Sequence, residues 1–310
     1  MAYSLKHINE LAKNDPKAFV EGTEAEFQRK LELAAKRIAD NRAQSHIILL
    51  SGPSGSGKTT TAMKIEKLLD ESGVETHTIS MDNYFNTIDP GTAPRNREGA
   101  IDYESPFCLD IDLLNRHFAM LDRGETIHIP KYEFARQMRS DILSQPLRLG
   151  KDELAIFEGI HALNDVIIGK NPKAFKLYIA ARSNVVDEDG SVVFYHHWLR
   201  LCRRIVRDYK FRGSDAAFTL KMWANVRRGE KLYISPYKEN ANLKFDSSLA
   251  TEVCVMKPYV VPLLQELPRG EYPEADAILA AYERIETLDE SLIPADSLIR
   301  EFIGGGSFSY

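Results

Sequence analysis

The run Gly52-Pro53-Ser54-Gly55-Ser56-Gly57-Lys58-Thr59 places Gly52, Gly57, Lys58 and Thr59 at the spacing of a loop that wraps phosphate groups. The chemistry follows from backbone geometry. Glycines let successive N–H groups turn inward toward an anion. A helix starting near Lys58 adds its positive end. Lys58 is expected to reach the β- and γ-phosphates and the Thr59 hydroxyl to coordinate Mg²⁺. Ser54, Gly55, Ser56 and Thr60 complete the set expected around a nucleoside triphosphate.

Phosphoryl chemistry at such a loop also needs carboxylates and cations. Glu158 ends the apolar run Leu154-Ala-Ile-Phe157, and Asp82 follows the run 75–80. Acids at the carboxyl ends of buried strands face the crevice where open α/β sheets bind ligands. Glu158 is therefore expected in the Mg²⁺ shell, and Asp82 as the base that accepts a hydroxyl proton. Arg200, Arg203, Arg204, Arg207, Lys210 and Arg212 crowd one helical segment. Arg203 and Arg207, one turn apart, are expected to close on the transferring group, because guanidinium forks match phosphate oxygens. Arg204 is expected on the nucleotide. His196 and His197 lack partners at metal spacing, which favours ordinary packing.

The positioning elements are legible in the hydrophobic pattern. His46–Leu50, 75–80, 154–157 and 175–180 read as strands. Residues 59–69, 109–121, 194–211 and 216–228 read as helices. The stretch 86–99 is a loop, 126–134 is extended, and 304–310 is expected to be flexible. Alternating strands and helices predict an α/β, three-layer P-loop fold with a mostly parallel sheet and a helical lid at about 194–245. Residues 1–45 and 255–310 are expected as helical extensions of a kinase domain at 46–254. The net charge of −5 argues against a nucleic-acid binder. No apolar run reaches membrane-spanning length, and three scattered cysteines suit a reducing cytoplasm. Assembly with further copies of the chain is left open.

Taken together, GPSGSGKTT (52–60), SMDNYF (80–85), PKYEFARQMR (130–139), FEGI (157–160) and RRIVRDYKFRG (203–213) resemble the uridine kinase and phosphoribulokinase branch of P-loop kinases. The resemblance spans about 46–248. It implies ATP and Mg²⁺ as cofactors and a small hydroxyl acceptor as substrate. It implies Asp82 as base, Asp102 on ribose hydroxyls, Tyr132 and Phe134 flanking a nucleoside, and Arg139 on the sugar or phosphate side. Tyr84 would lie on the acceptor side, and Arg203 and Arg207 would form the lid. Pro236 resembles a proline near the adenine side. One departure stands out: Gln137 occupies the position of a base-contacting histidine. Gln can donate and accept, so a pyrimidine edge remains readable, but a different acceptor fits as well. Three functions follow, in order of weight: a uridine or cytidine 5′-kinase, a same-branch kinase for a sugar phosphate, polyol or pantothenate-like acceptor, and a non-catalytic nucleotide switch.

Overall fold

The computed structural model describes residues 2–144 and 146–309. The first apolar run is β1 (Ile47–Ser51), buried along its whole length. It lies at the centre of a five-stranded, all-parallel sheet with β2 (Thr76–Ser80), β3 (Leu154–Glu158), β4 (Phe175–Ala180) and β5 (Leu243–Asp246). The strand order is β5-β4-β1-β3-β2. Side chains alternate across the pleat. Ile48 and Leu50 therefore join one core with Ile156, Leu177 and Ile179, while Ile47 and Leu49 join the other with Ala155, Phe157 and Tyr178. Burial on both faces explains why β1 and β3 read as unbroken apolar runs.

The helices include α1 (Leu5–Asn14), α2 (Pro16–Asn41), α3 (Lys58–Glu71), α4 (Ile111–Asp122), α5 (His196–Arg212), α6 (Ala216–Gly229), α7 (Glu252–Gln265), α8 (Pro273–Glu283) and α9 (Arg300–Ile303), and a further four-residue helix spans Asp165–Ile168. Helix α2 starts where its sequence says it should. Asp15 accepts a hydrogen bond from the Ala18 N–H, and Pro16 takes the first position, whose N–H has no helical partner. Its Phe27 and Leu31 are essentially inaccessible and share the core of Ile48 and Leu50. At about 1.5–3 kcal/mol per buried large apolar side chain, this helix is part of the packed body. The same core takes Leu5 and Ile8 from α1, and Leu298, Ile299 and Phe302 from the C-terminal segment.

Register sets the working edge. Leu50 and Ser80 both pair with Glu158, so β1, β3 and β2 end at one level. The segments after Ser51, Ser80 and Glu158 leave the sheet side by side. Two features differ from the sequence expectation. Strand β5 was not foreseen, because four residues, Leu-Lys-Phe-Asp, carry too little pattern. The glycine-rich tail does not run free. Gly304 and Gly305 adopt left-handed φ values of 85° and 70°, which turn the chain back so that the Ser307 N–H donates to the Ala295 carbonyl at 2.8 Å. Tyr310, the last residue of that tail, lies outside the described residues.

Candidate active site

The phosphate loop joins β1 to α3 and is held from behind. A Cβ on Gly52 would lie 2.0 Å from the Ile179 carbonyl oxygen, so only glycine fits there. Gly55 and Gly57 take φ values of 74° and 77°, the left-handed region that favours glycine. Three donors then fix the loop's carbonyls: Arg200 Nε on Ser54 at 3.0 Å, Arg203 Nη1 on Gly55 at 3.0 Å, and Ser247 Oγ on Ser56 at 2.6 Å. Arg204 Nη1 adds a bond to Ser54 Oγ at 2.9 Å.

Arg203 is thereby corrected. It is wholly buried, ion-paired with Glu252 on α7, and donates to the Ser247 carbonyl at 2.9 Å. All its donors face protein, so it supports the loop instead of closing over a ligand. Arg207, one turn on, lines the cleft. The periodicity of the arginines was legible in the sequence, but not which of them turned inward.

Thr59, Ser80, Asp82, Glu158, Arg207 and Arg212 border one cavity of about 590 Å³. Thr59 Oγ1 lies 3.4 Å from Glu158 Oε1. A hydroxyl beside a carboxylate is a hard-oxygen donor pair of the kind Mg²⁺ takes. Burial pushes the Glu158 carboxyl up to about 7, a rise that Lys58 opposes and the neighbouring Asp82 reinforces. Asp82 opens onto the cleft. Its crowded surroundings raise its pKa by desolvation, against the pull of Lys58, Arg212 and Arg207. Lys58 is lowered by desolvation, against Glu158 and Asp82.

A test follows for Glu158. Its folded pKa lies above the ordinary carboxylate value, so the stability it contributes is present at low pH and is lost as pH rises through about 7. Glu158→Gln is expected to be more stable than the wild type at pH 8 when no ligand is added, and to lose most metal-dependent turnover. Thermal unfolding at pH 5 and 8 reads the first effect. A variant equally stable relative to wild type at both pH values would exclude the shifted carboxyl.

The expected acceptor residues lie elsewhere. Asp102 is buried, with Arg228 Nη2 and Nη1 at 2.6 and 3.2 Å and the Tyr233 hydroxyl donating at 2.8 Å. Burial raises its pKa, but these bonds outweigh it and hold the carboxyl below its usual value. Both oxygens are therefore engaged by protein in this structure. Tyr84 is corrected as well. Its side chain is fully buried, with its hydroxyl 2.9 Å from His117 Nδ1, so the ring packs in the core and does not face a ligand.

Tyr132, Phe134 and Phe85 form an aromatic cluster with ring centroids 5.0–5.9 Å apart, and Phe134 is 61% exposed. Gln137 sits at φ 51°, the one left-handed non-glycine among the described residues. It turns the ribbon that pairs Tyr132–Glu133 with Met138–Arg139. Arg139 bonds Asp110 at 3.0 Å and the carbonyls of Tyr84 and Phe85 at 3.1 and 3.3 Å, which ties this ribbon to the segment carrying Asp82.

Several residues of the site escaped the sequence. Glu230 and Tyr233 lie in a single π-helical turn, Glu230–Ile234. Glu230 pairs with Arg200 at 3.0 Å. Glu301 accepts from Thr60 Oγ1 at 2.6 Å across 241 positions of chain. Pairings at such separations carry no local signal.

Residues 47–253 match the phosphoribulokinase / uridine kinase family. The chain is 29% identical over 210 residues to a uridine kinase of Staphylococcus aureus (strain JH9), which covers 67% of this chain and 91% of that protein. Among solved structures it is similar to a possible uridine kinase from Bacillus stearothermophilus, at 17% identity and TM-score 0.46, covering 71% of this chain and 100% of that one. It is also similar to D-glycerate 3-kinase from Cryptococcus neoformans var. grubii, at 11% identity and TM-score 0.37, covering 82% and 87%. Among the described residues, no helix is long and apolar enough to cross a membrane. The match over 47–253 takes in the phosphate loop, Asp82, Glu158 and the arginine helix. The chain belongs to the phosphoribulokinase / uridine kinase family and is a phosphotransferase acting on a hydroxyl group.

Proposed function

We propose that the protein transfers the γ-phosphoryl group of ATP to the 5′-hydroxyl of a pyrimidine nucleoside, uridine or cytidine. The observation that carries this is the shared cleft of Thr59, Asp82, Glu158 and Arg207 beside the phosphate loop. Thr59 and Glu158 would hold Mg²⁺, which neutralises charge on the phosphates when bound. Asp82 accepts the hydroxyl proton. Arg207 offers its guanidinium to the group in transfer. The cluster of Phe85, Tyr132 and Phe134 supplies flat apolar faces suited to a planar base. The similarity to the Staphylococcus aureus uridine kinase supports the same acceptor.

A second reading has its own support. Asp102 is already saturated by Arg228 and Tyr233, and Gln137 stands where the resemblance puts a base-contacting histidine. An acceptor without a ribose, such as a sugar phosphate or polyol, needs neither contact.

ATP turnover against a panel of nucleosides, sugars, sugar phosphates and polyols separates the two. Uridine and cytidine are expected to give the highest kcat/KM. If every nucleoside stays at background while a sugar or polyol is phosphorylated, the first reading is dead and the second stands.

A further inference from the structure

The family match ends at residue 253, yet the chain beyond it reaches the cleft. The cavity that Thr59, Asp82 and Glu158 border is also lined by Glu301, Gly304–Gly306 and Phe308. This wall is fixed. Leu298, Ile299, Phe302 and Ile303 are at most 2% exposed. Leu298 sits where a Cβ on Gly57 would meet its Cδ1 at 2.5 Å, and the Phe302 ring lies under the Arg203 guanidinium at 5.1 Å. Lys210 donates to the Ile303 carbonyl at 2.6 Å, and Lys64 to Asp296 at 2.8 Å. The segment is therefore clamped to the phosphate loop, to α3 and to the arginine helix.

We propose that this C-terminal segment forms the subsite for the nucleoside part of the phosphoryl donor. The proposal rests on the reading that the loop takes a nucleoside triphosphate. Two observations assign the wall to the donor and not to the acceptor. Its contacts run to the loop itself, through Leu298 on Gly57 and Glu301 on Thr60. Asp102, Tyr132, Phe134, Gln137 and Arg139, the residues expected on the acceptor, do not border this cavity.

The chemistry of the wall suits a nucleoside. Phe211 is 56% exposed, and Gly304 passes so close to its ring that a Cβ there would stand 3.1 Å from Cζ. Phe308 borders the same space. Aromatic rings on a cleft wall stack on a base of any sequence. Gly305 and Gly306 bring no side chain to the wall, which leaves room for a flat base beside the backbone, and the Glu301 carboxylate can accept from ribose hydroxyls. Another cavity touching the loop, beside Pro53 and Ser235, next to the Pro236 expected near the adenine side, is about 270 Å³. It is walled by Arg182, Arg200, Glu230 and Lys238, with no exposed phenylalanine.

Two variants test the subsite: Phe308→Ala and a chain ending at Gly304. Both spare the buried anchors, and thermal unfolding confirms that each is folded. Equilibrium binding is measured with MgATP and with magnesium tripolyphosphate, which has the phosphates but no nucleoside. Both variants are expected to weaken MgATP by about 10-fold, the usual scale of one lost stacking partner, and to leave tripolyphosphate unchanged. MgATP binding at wild-type strength in both variants overturns the proposal. So does an equal loss of both ligands, which would place the wall on the phosphates. If the wild type binds neither ligand, the nucleotide reading of the loop fails first and the subsite falls with it.

Discussion

Asp82→Asn is expected to lower turnover by about 100-fold or more, the usual worth of a positioned general base. The substitution keeps size and hydrogen bonding but cannot accept the hydroxyl proton. MgATP binding should survive, because the loop, Lys58 and Thr59 are untouched. Removing a carboxylate from a cleft that must admit a polyanion can only ease that binding. The geometry gives the effect its size. Asp82 leaves the end of β2 at the level where β3 ends in Glu158, and it opens onto the cleft that Thr59 and Arg207 also line. Desolvation raises its pKa, and the neighbouring cations Lys58, Arg212 and Arg207 oppose that rise. Steady-state turnover with the best acceptor, beside an ATP-binding measurement, decides the matter. Turnover within a few-fold of wild type would remove Asp82 from the base role.

The second large effect lies behind the loop. Arg203→Met leaves Glu252 as a buried charge with no cation, and strips the Gly55 and Ser247 carbonyls of a donor. Breaking one side of a buried pair typically costs about 3–5 kcal/mol. Replacing both members by apolar residues is often close to neutral. The expected result of denaturant unfolding is therefore a large loss for Arg203→Met and substantial recovery in Arg203→Met/Glu252→Leu. The double variant should still bind MgATP poorly, since the loop has lost its rear support. A single variant as stable as wild type would show that Arg203 does not hold the loop. A stable single variant that also lost only turnover would return Arg203 to the lid role expected from the sequence.

How much of this site could be read in advance depended on the range of the interaction. The phosphate loop is local. Eight consecutive residues directly after a strand end carry left-handed glycines and a helix start, so its geometry is written in its own composition. Asp82 and Glu158 were nearly as legible, because Glu158 ends one strand, Asp82 lies two residues past another, and parallel strands end at one edge. The arginine helix was legible as a helix but not by face. Arg203 and Arg207 differ by one turn, and only the packing of α7 decides that Arg203 meets Glu252 while Arg207 meets the cleft. Tyr84 failed for the same reason. A tyrosine in a site motif looks exposed until its hydroxyl is seen to share a hydrogen bond with His117 on α4.

The sequence by itself determined the α/β class, the loop that wraps phosphates and the two carboxylates at the sheet edge. Each of these rests on periodicity or on neighbours a few residues apart. The tertiary structure alone decided what stands behind the loop, what saturates Asp102 and what walls the cleft. Those answers pair residues 49 to 241 positions apart: Arg203 with Glu252, Asp102 with Arg228, and Thr60 with Glu301. Local pattern holds no record of such partners, because the energy that selects them comes from desolvating and pairing charges only once the chain has closed on itself.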